Sequence, residues 1–312
     1  MNQHHTFPSG GPSPIADLSY RNYDGATRSR ALRWWIVALS VLRTIRRKPI
    51  FWILLALALF PYLFSGVTLY IKSNTGMMAL PEDHAFAAQF HTSLQSQEFW
   101  IFLTALVVGA DCIAGDLRAN ALLIYLSKPI AKGDYLLGKW MGVFLPLYLI
   151  ALAPATLLFI CSAFGMFGAD FLKNEPTLFP RMLLATAIPA LVHTSILVGF
   201  SAWSKSGRIA GAAYAGFCLL TTVISGIMGG LQMRSHHVSS VLIQHLSVTG
   251  VIGGIAQSIY NVKTQANPFA MQMAEALPPA FKWEMLGIGV ALCVIGIVMA
   301  RVRINAVEVV RG

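Results

Sequence analysis

Long stretches without charged residues dominate the chain and predict its fold. Crossing the ~30 Å hydrocarbon layer as an α-helix takes about 20 mostly apolar residues, because every backbone amide must be satisfied within the segment. Four stretches contain no Asp, Glu, Lys or Arg, and two weaker ones contain one acidic residue each, Asp111 or Glu284. The pattern predicts an all-α integral membrane protein with six transmembrane helices, at about 50–71, 99–115, 140–167, 182–203, 209–230 and 283–300.

A seventh apolar segment, residues 235–262, also lacks charged residues, but its apolar pattern is diluted. It contains Gln244, His245 and three glycines. A full crossing here would move the C-terminal arginines to the outside, against the charge distribution described below. We therefore expect a re-entrant or interfacial external segment before the last span.

Residues 30–48 are too charged to span, yet they show helical amphipathicity. At 100° per residue the basic and hydroxyl side chains gather in an arc of ~140°, although Ile36 and Val37 also fall on that side. Trp34 and Trp35 lie on the opposite face. A basic face backed by tryptophan predicts an in-plane amphipathic helix on the cytoplasmic surface, the alternative being a simple extension of the first span.

Composition and charge support this topology. Only 12% of the 312 residues are charged and 56% are hydrophobic, which argues against a soluble fold. The pI near 9.7 raises the question of a nucleic-acid partner. However, 17 of the 23 Lys and Arg fall on one side of a six-span topology, as the positive-inside rule requires. We expect both termini in the cytoplasm, a disordered cytosolic tail at 1–27, one transmembrane domain at 28–312, and no nucleic acid.

One cytoplasmic segment, between the second and third spans, has a distinctive order of residues. Asp116 opens a run that ends in Leu-Ser-Lys-Pro-Ile at 126–130, and Tyr-Leu-Leu-Gly-Lys follows at 135–139. Pro129 disfavours helix at the residue before it, so a pair of short helices at the membrane surface is predicted. The segment resembles the permease subunit of type-2 ATP-binding-cassette (ABC) exporters. The surface helix, the six spans and the external segment before the last span resemble the same family.

The resemblance implies a transmembrane permease domain that moves a substrate outward while a separate soluble ATPase supplies the energy. ATP and Mg²⁺ are then expected on the ATPase, with no cofactor in this chain. A second permease copy, identical or related, and membrane lipid complete the expected partners, in a bacterial plasma membrane. The ATPase-coupling interface is expected at Asp116, Leu117, Arg118, Leu122, Tyr125, Lys128, Pro129 and Lys132. For any single charge, topology and contact with lipid phosphate are an equal explanation.

Motifs for chemistry within the chain itself are weak. Residues 133–139 match the spacing of a phosphate-binding loop, but Trp140 replaces the Ser or Thr that binds Mg²⁺. Asp111 and Asp116 differ by about 140° on a helix and do not share a face for a metal. We therefore predict no metal site, no catalytic residue and no enzyme activity.

Two residues are candidates for the translocation path. Asp111 is expected near the inner headgroups, with a path role as the minority reading. His193 lies in the middle of the fourth span, where an ionisable side chain indicates function by default. The simpler interpretation of His193 is a hydrogen bond to a neighbouring helix.

Two other functional classes remain open. An ATPase-independent secondary transporter or channel would be expected to show several intramembrane charges and internal repeats, whereas one Asp, one His and no repeat are evident. A membrane-embedded enzyme acting on lipid would need a cluster of acid, base or nucleophile, which the sequence does not show. The substrate and the choice between homo- and heterodimer stay open.

Overall fold

The computed structural model describes residues 32–74, 85–121, 130–166, 171–173, 175–235, 246–262 and 283–306. All regular secondary structure in these residues is helical, and the described residues from 33 onward group as one compact unit. Six described helical stretches are long and apolar enough to cross a membrane: Pro49–Ile71, Phe86–Arg118, Lys132–Gly165, Leu178–Trp203, Gly207–Met228 and Trp283–Asn305. The predicted all-α fold with six candidate spans is confirmed. The predicted tail at 1–27 lies outside the described residues.

The helices follow one another in a simple order along the chain. The first part contains α1 (Arg33–Arg46), α2 (Pro49–Ala58), α3 (Phe60–Asn74), α4 (Ala85–Gly109) and α5 (Ala114–Arg118). The second part contains α6 (Lys132–Cys161, continued by a π-helical turn at Ser162–Met166), α7 (Leu178–Trp203), α8 (Gly207–Ser235), α9 (Val248–Tyr260) and α10 (Trp283–Asn305). Helices α2 and α3 together form the first candidate span, with a break at Leu59 just before Pro61.

Helix α7 is the centre of the bundle. It is the most buried of the candidate spans and packs against α4, α6, α8, α9 and α10. Its contact with α10 depends on two glycines, because a Cβ atom on Gly199 would lie 2.9 Å from the carbonyl oxygen of Gly296. A Cβ on Gly296 would in turn collide with the carbonyl of Ser195. Such close backbone approach is how membrane helices gain packing energy without a hydrophobic driving force.

The second span begins much earlier than the sequence indicates. Its helix starts at Ala85, whereas the predicted span starts at about residue 99. The reason is that Gln97 and Glu98 are polar but buried inside the bundle. The Nε2 atom of Gln97 donates to the carbonyl oxygens of Ala58 and Ile150, at 3.2 and 2.7 Å. Pro154, four residues after Ile150, has no N–H to satisfy that carbonyl, and Gln97 replaces the missing donor.

The amphipathic segment forms a helix that is separate from the first span. Lys48 is extended (φ −85°, ψ 114°) between α1 and α2, and Pro49 opens the new helix. Val37, on the polar side of the helical projection, is buried against α6. One face of α1 therefore packs on protein, and the position of α1 in the headgroup layer stays a prediction.

Helix α9 packs against four of the spanning helices, α4, α7, α8 and α10. It is a short apolar helix of 13 residues, about 20 Å long. At its C-terminal end Arg181 Nη1 donates to the carbonyl of Tyr260 at 3.3 Å. At its N-terminal end, Ser247 lines a cavity. His193 lines the same cavity, and it lies about three turns after Arg181 on α7. Its depth in a membrane stays a prediction, and residues 236–245 of the predicted segment lie outside the described residues.

Candidate functional site

The turn between α4 and α5 is held by one serine of α7. The hydroxyl of Ser201 donates to the carbonyl of Ala110 at 2.9 Å. The same oxygen accepts from the backbone N–H groups of Ile113 and Ala114, each at 3.1 Å. These are backbone groups that a helix break leaves without helical partners. Ser201 therefore fixes the direction in which α5 leaves the bundle.

Asp116 on α5 is bound to two residues at the start of α6. Tyr135 donates its hydroxyl to Asp116 Oδ2 at 2.7 Å, and Lys139 Nζ lies 2.6 Å from the same oxygen. The Lys139 side chain is only 7% exposed and that of Asp116 19%. A buried carboxylate and ammonium are stable only when paired and hydrogen-bonded. The acidic residue and the Tyr-Leu-Leu-Gly-Lys sequence thus form one contact, which ties α5 to α6. We call Asp116, Tyr135 and Lys139 the inner cluster.

Gly138, beside Lys139 in that sequence, allows α1 to reach the same place. A Cβ atom on Gly138 would lie 2.5 Å from both the carbonyl oxygen of Trp34 and the Cβ of Val37. One turn along α6, a Cβ on Gly142 would lie 2.7 Å from Val41. The two glycines form a small-xxx-small surface on which α1 rests. Helix α6 therefore contacts α1 through Gly138 and Gly142, next to the two residues with which it binds Asp116 of α5.

Asp111 has a different environment from Asp116. Its Oδ1 atom accepts from the backbone N–H of Gly207 at 3.1 Å, at the N-terminus of α8, where a negative charge is favourable. Arg118 lies 3.6 Å from Asp111 Oδ2, with both side chains more than half exposed, so that ion pair contributes at most about 1 kcal/mol. Asp111 joins α4, α5 and α8, and it does not line the cavity that contains His193.

The remaining residues of the predicted coupling interface differ in their surroundings. Leu117 is half-buried against the core, and Arg118 is exposed. Lys132 opens α6 and donates to the carbonyl of Asn305 at 2.9 Å. Asn120 has a left-handed backbone (φ 52°), which turns the chain after α5. The other predicted interface residues, Leu122, Tyr125, Lys128 and Pro129, lie outside the described residues.

A second polar group lies inside the bundle. His193 Nε2 lies 2.6 Å from Glu98 Oε1, and Tyr214 OH lies 2.7 Å from His193 Nδ1. The three residues come from α4, α7 and α8 and are buried. The ring of Phe102 stacks on Tyr214 with centroids 5.5 Å apart. His193 therefore makes contacts with two neighbouring helices, α4 and α8. We call Glu98, His193 and Tyr214 the membrane cluster.

The membrane cluster opens into a cavity of about 620 Å³. Glu98 and His193 line it, together with apolar side chains of α4 and α8 and the N-terminal turn of α9. Gln95, Thr222, Ser247 and Thr249 add hydroxyl and amide groups. A mostly apolar cavity of this size with a few convergent polar groups is typical of a small-molecule site.

Sequence reasoning missed Glu98 and Tyr214. A signal for a helix that includes residue 98 was present in the sequence. Phe86, Phe90, Leu94 and Ile101 recur at helical spacing, and all four are buried on α4. Tyr214 has no comparable signal, since its role depends on facing His193. Within the described ranges, no group of three or more His, Cys, Asp and Glu side chains is arranged to hold a metal.

Comparison with known proteins gives matches of one kind. Residues 35–309 match the family described as ABC-2 family transporter protein. The chain is also similar to a protein of Pseudomonas aeruginosa named probable ABC transporter permease protein NosY, with 30% identity over 148 residues. That alignment covers 47% of this chain and 49% of the relative, so the chain matches about half the length of this curated protein.

Proposed function

Because this chain belongs to the ABC-2 family of transporter proteins and is a multi-pass transmembrane permease, we propose that it couples ATP hydrolysis by a separate subunit to outward movement of a substrate. Membership of the family implies an ATPase partner and a dimeric assembly in general. In this proposal the ATPase carries ATP and Mg²⁺, and a second permease copy, identical or related, completes the transporter. Both termini face the cytoplasm of a bacterial plasma membrane.

The observation that carries the proposal is the attachment of α5. This helix is fixed at its start by Ser201 of α7 and at its centre by the Asp116–Lys139 ion pair with α6. Coupling between two moving bodies needs an element that does not bend between them. A force applied to α5 would therefore be passed to α6 and to α7, the centre of the bundle.

The ATPase is proposed to contact the exposed surface around α5. Asp116 itself is a positioning residue, because its carboxylate is already bound to Tyr135 and Lys139. Arg118 is exposed, and its 3.6 Å ion pair with Asp111 is weak enough to be exchanged for a charged contact with the ATPase. Leu117 lies beside it. Leu122, Tyr125, Lys128, Pro129 and Lys132 complete the proposed interface.

The membrane cluster is proposed to lie on the translocation path. Ionisable side chains at membrane depth are costly and usually face a cavity or a partner. His193 and Glu98 do both, since they bond to each other and line the same cavity. Asp111, at the inner end and outside this cavity, is proposed to act as the cap of α8.

The test is co-purification with the cognate ATPase. We expect the double variant Arg118→Glu, Lys128→Glu to lose the complex and any permease-dependent stimulation of ATP hydrolysis, because both changes reverse charges at the proposed interface. Arg303→Glu, an exposed charge reversal at the end of α10, is the matched control and should leave the complex intact. A complex that survives the double variant with full stimulation would overturn the docking assignment.

A second candidate, a secondary transporter or channel that works without an ATPase, is supported by one observation. The Glu98–His193 pair is an ionisable group in the middle of candidate spans, as proton-coupled carriers require. Proton-gradient-driven substrate uptake into liposomes that contain only this protein, abolished by Glu98→Gln, would favour this candidate. Absence of such uptake, together with ATPase-dependent transport, would exclude it.

A further inference from the structure

A groove separate from both clusters lies between the start of α6 and the end of α10. Its volume is about 390 Å³. The walls are apolar and the mouth is polar. The walls consist of Leu136, Leu137, Trp140, Ile297 and Ile304 with Gly133, and the mouth of Lys132, Arg301 and Asn305. This surface is called the α6–α10 groove below.

Two cations converge at the mouth of the α6–α10 groove. Lys132 Nζ donates to the carbonyl of Asn305 at 2.9 Å, which holds the ammonium group against α10. Arg301 precedes Asn305 by one helical turn and therefore lies on the same face of α10. Lys132 and Arg301 are thus neighbours across the groove, although they come from distant parts of the chain.

The groove changes from charged to apolar along the helix axes. Lys132 is the first residue of α6, and Trp140 lies eight residues further into the span, about 12 Å deeper. On α10, Ile297 is one turn deeper than Arg301. A molecule that fits this gradient has an anionic head at the bundle end and an apolar chain that runs into the membrane.

We propose that the α6–α10 groove binds an anionic phospholipid, with its phosphate between Lys132 and Arg301 and one acyl chain along Leu137, Trp140 and Ile297. This inference rests on the proposed topology, with both termini in the cytoplasm, in which this end lies at the cytoplasmic leaflet, where anionic lipids are concentrated. Among the described residues, no atom lies within 4 Å of a Cβ built on Gly133, so they leave the groove open beside Lys132. A polar ligand without a chain would leave the apolar walls without a partner.

The experiment uses the purified full-length chain in a neutral detergent. Binding of phosphatidylglycerol and of phosphatidylcholine with the same acyl chains is measured by native mass spectrometry. We expect phosphatidylglycerol to bind more tightly, and Lys132→Gln or Arg301→Gln to weaken it about fivefold each, as a contact with one fewer cation requires. Arg303→Gln removes an exposed arginine of the same helix outside the groove and should have no effect.

Two further arms separate the occupants. Leu137→Trp fills the wall without changing the charge, and it should weaken phosphatidylglycerol while leaving phosphatidylcholine elsewhere on the surface unaffected. Inorganic phosphate at millimolar concentration should not displace the lipid. Equal binding of the two lipids, or an equal loss in Arg303→Gln, would overturn the proposal. Displacement by phosphate would show a free-anion site instead. Among the described residues, the Arg301 side chain makes no hydrogen bond or ion pair that α10 would lose in the variant. Arg301→Gln therefore tests the proposal even if Lys132→Gln, which alters the bond to Asn305, loosens the end of the helix.

Discussion

Replacing Lys139 with Met is the most informative perturbation of the inner cluster. The ammonium lies 2.6 Å from Asp116 Oδ2, and its side chain is 7% exposed. Met keeps most of the volume but removes the charge, so Asp116 retains the hydroxyl of Tyr135 and loses its cation. Asp116→Asn is the reciprocal change, and the double variant removes both charges together.

The expected magnitude follows from the burial of the pair. Breaking a buried ion pair by removing one partner costs about 3–5 kcal/mol, because the other charge is left buried. Asp116 is 19% exposed, so water relieves part of this cost and we expect about 3 kcal/mol for Lys139→Met. Asp116→Asn leaves the Lys139 ammonium, whose side chain is only 7% exposed, without its counter-charge, so it should also cost about 3 kcal/mol. The double variant should cost about 2 kcal/mol less than the sum of the singles.

The assay is equilibrium unfolding in mixed micelles of increasing SDS content, followed by tryptophan fluorescence and circular dichroism. Tyr135→Phe, which removes only the hydroxyl, is the control and should cost about 1–2 kcal/mol. Additivity of the two single changes to within about 0.5 kcal/mol would show that Asp116 and Lys139 do not interact, and the reasoning about α5 would then be refuted.

Three further predictions test other contacts. Gly138→Ala should displace α1 and destabilise the protein by about 1–3 kcal/mol, because the new Cβ would lie 2.5 Å from the Trp34 carbonyl. Gly216→Ala is its control: in the described part of the chain no atom of another helix lies within 4 Å of the new Cβ, so this variant should be neutral or stabilising in the same unfolding assay. Ser201→Ala should cost about 1–3 kcal/mol and speed amide hydrogen exchange at 110–118, since three backbone groups lose their partner. Unchanged exchange there would contradict the role of Ser201 in holding the turn between α4 and α5. Glu98→Leu should destabilise the bundle more than Glu98→Gln, which can still bond to His193, and equal unfolding midpoints would argue against this contact.

The candidate sites were only partly predictable from the sequence. Asp116, Tyr135 and Lys139 were recognised through their order in the chain, yet nothing in that order indicated that they bind one another. The coupling segment was expected to present Asp116 to a partner, and its carboxylate is instead bound within the chain. His193 stood out because ionisable side chains are rare at membrane depth. Its partner Glu98 fell just outside the predicted span at 99–115, since polar neighbours lower the local hydropathy.

The sequence by itself determined the all-α class and the six candidate spans, and it favoured a separation of α1 from the first span. These follow from local requirements: the length of apolar chain that satisfies its own backbone, and the proline that restarts the helix after Lys48. Only the tertiary structure decided which polar groups meet, such as Glu98 with His193 across 95 positions of the chain. Those pairings depend on the rotation and depth of each helix. Apolar stretches specify neither the rotation nor the depth of a helix, because hydrocarbon interacts similarly with every apolar face. The close contacts of small residues set the rotation and the depth.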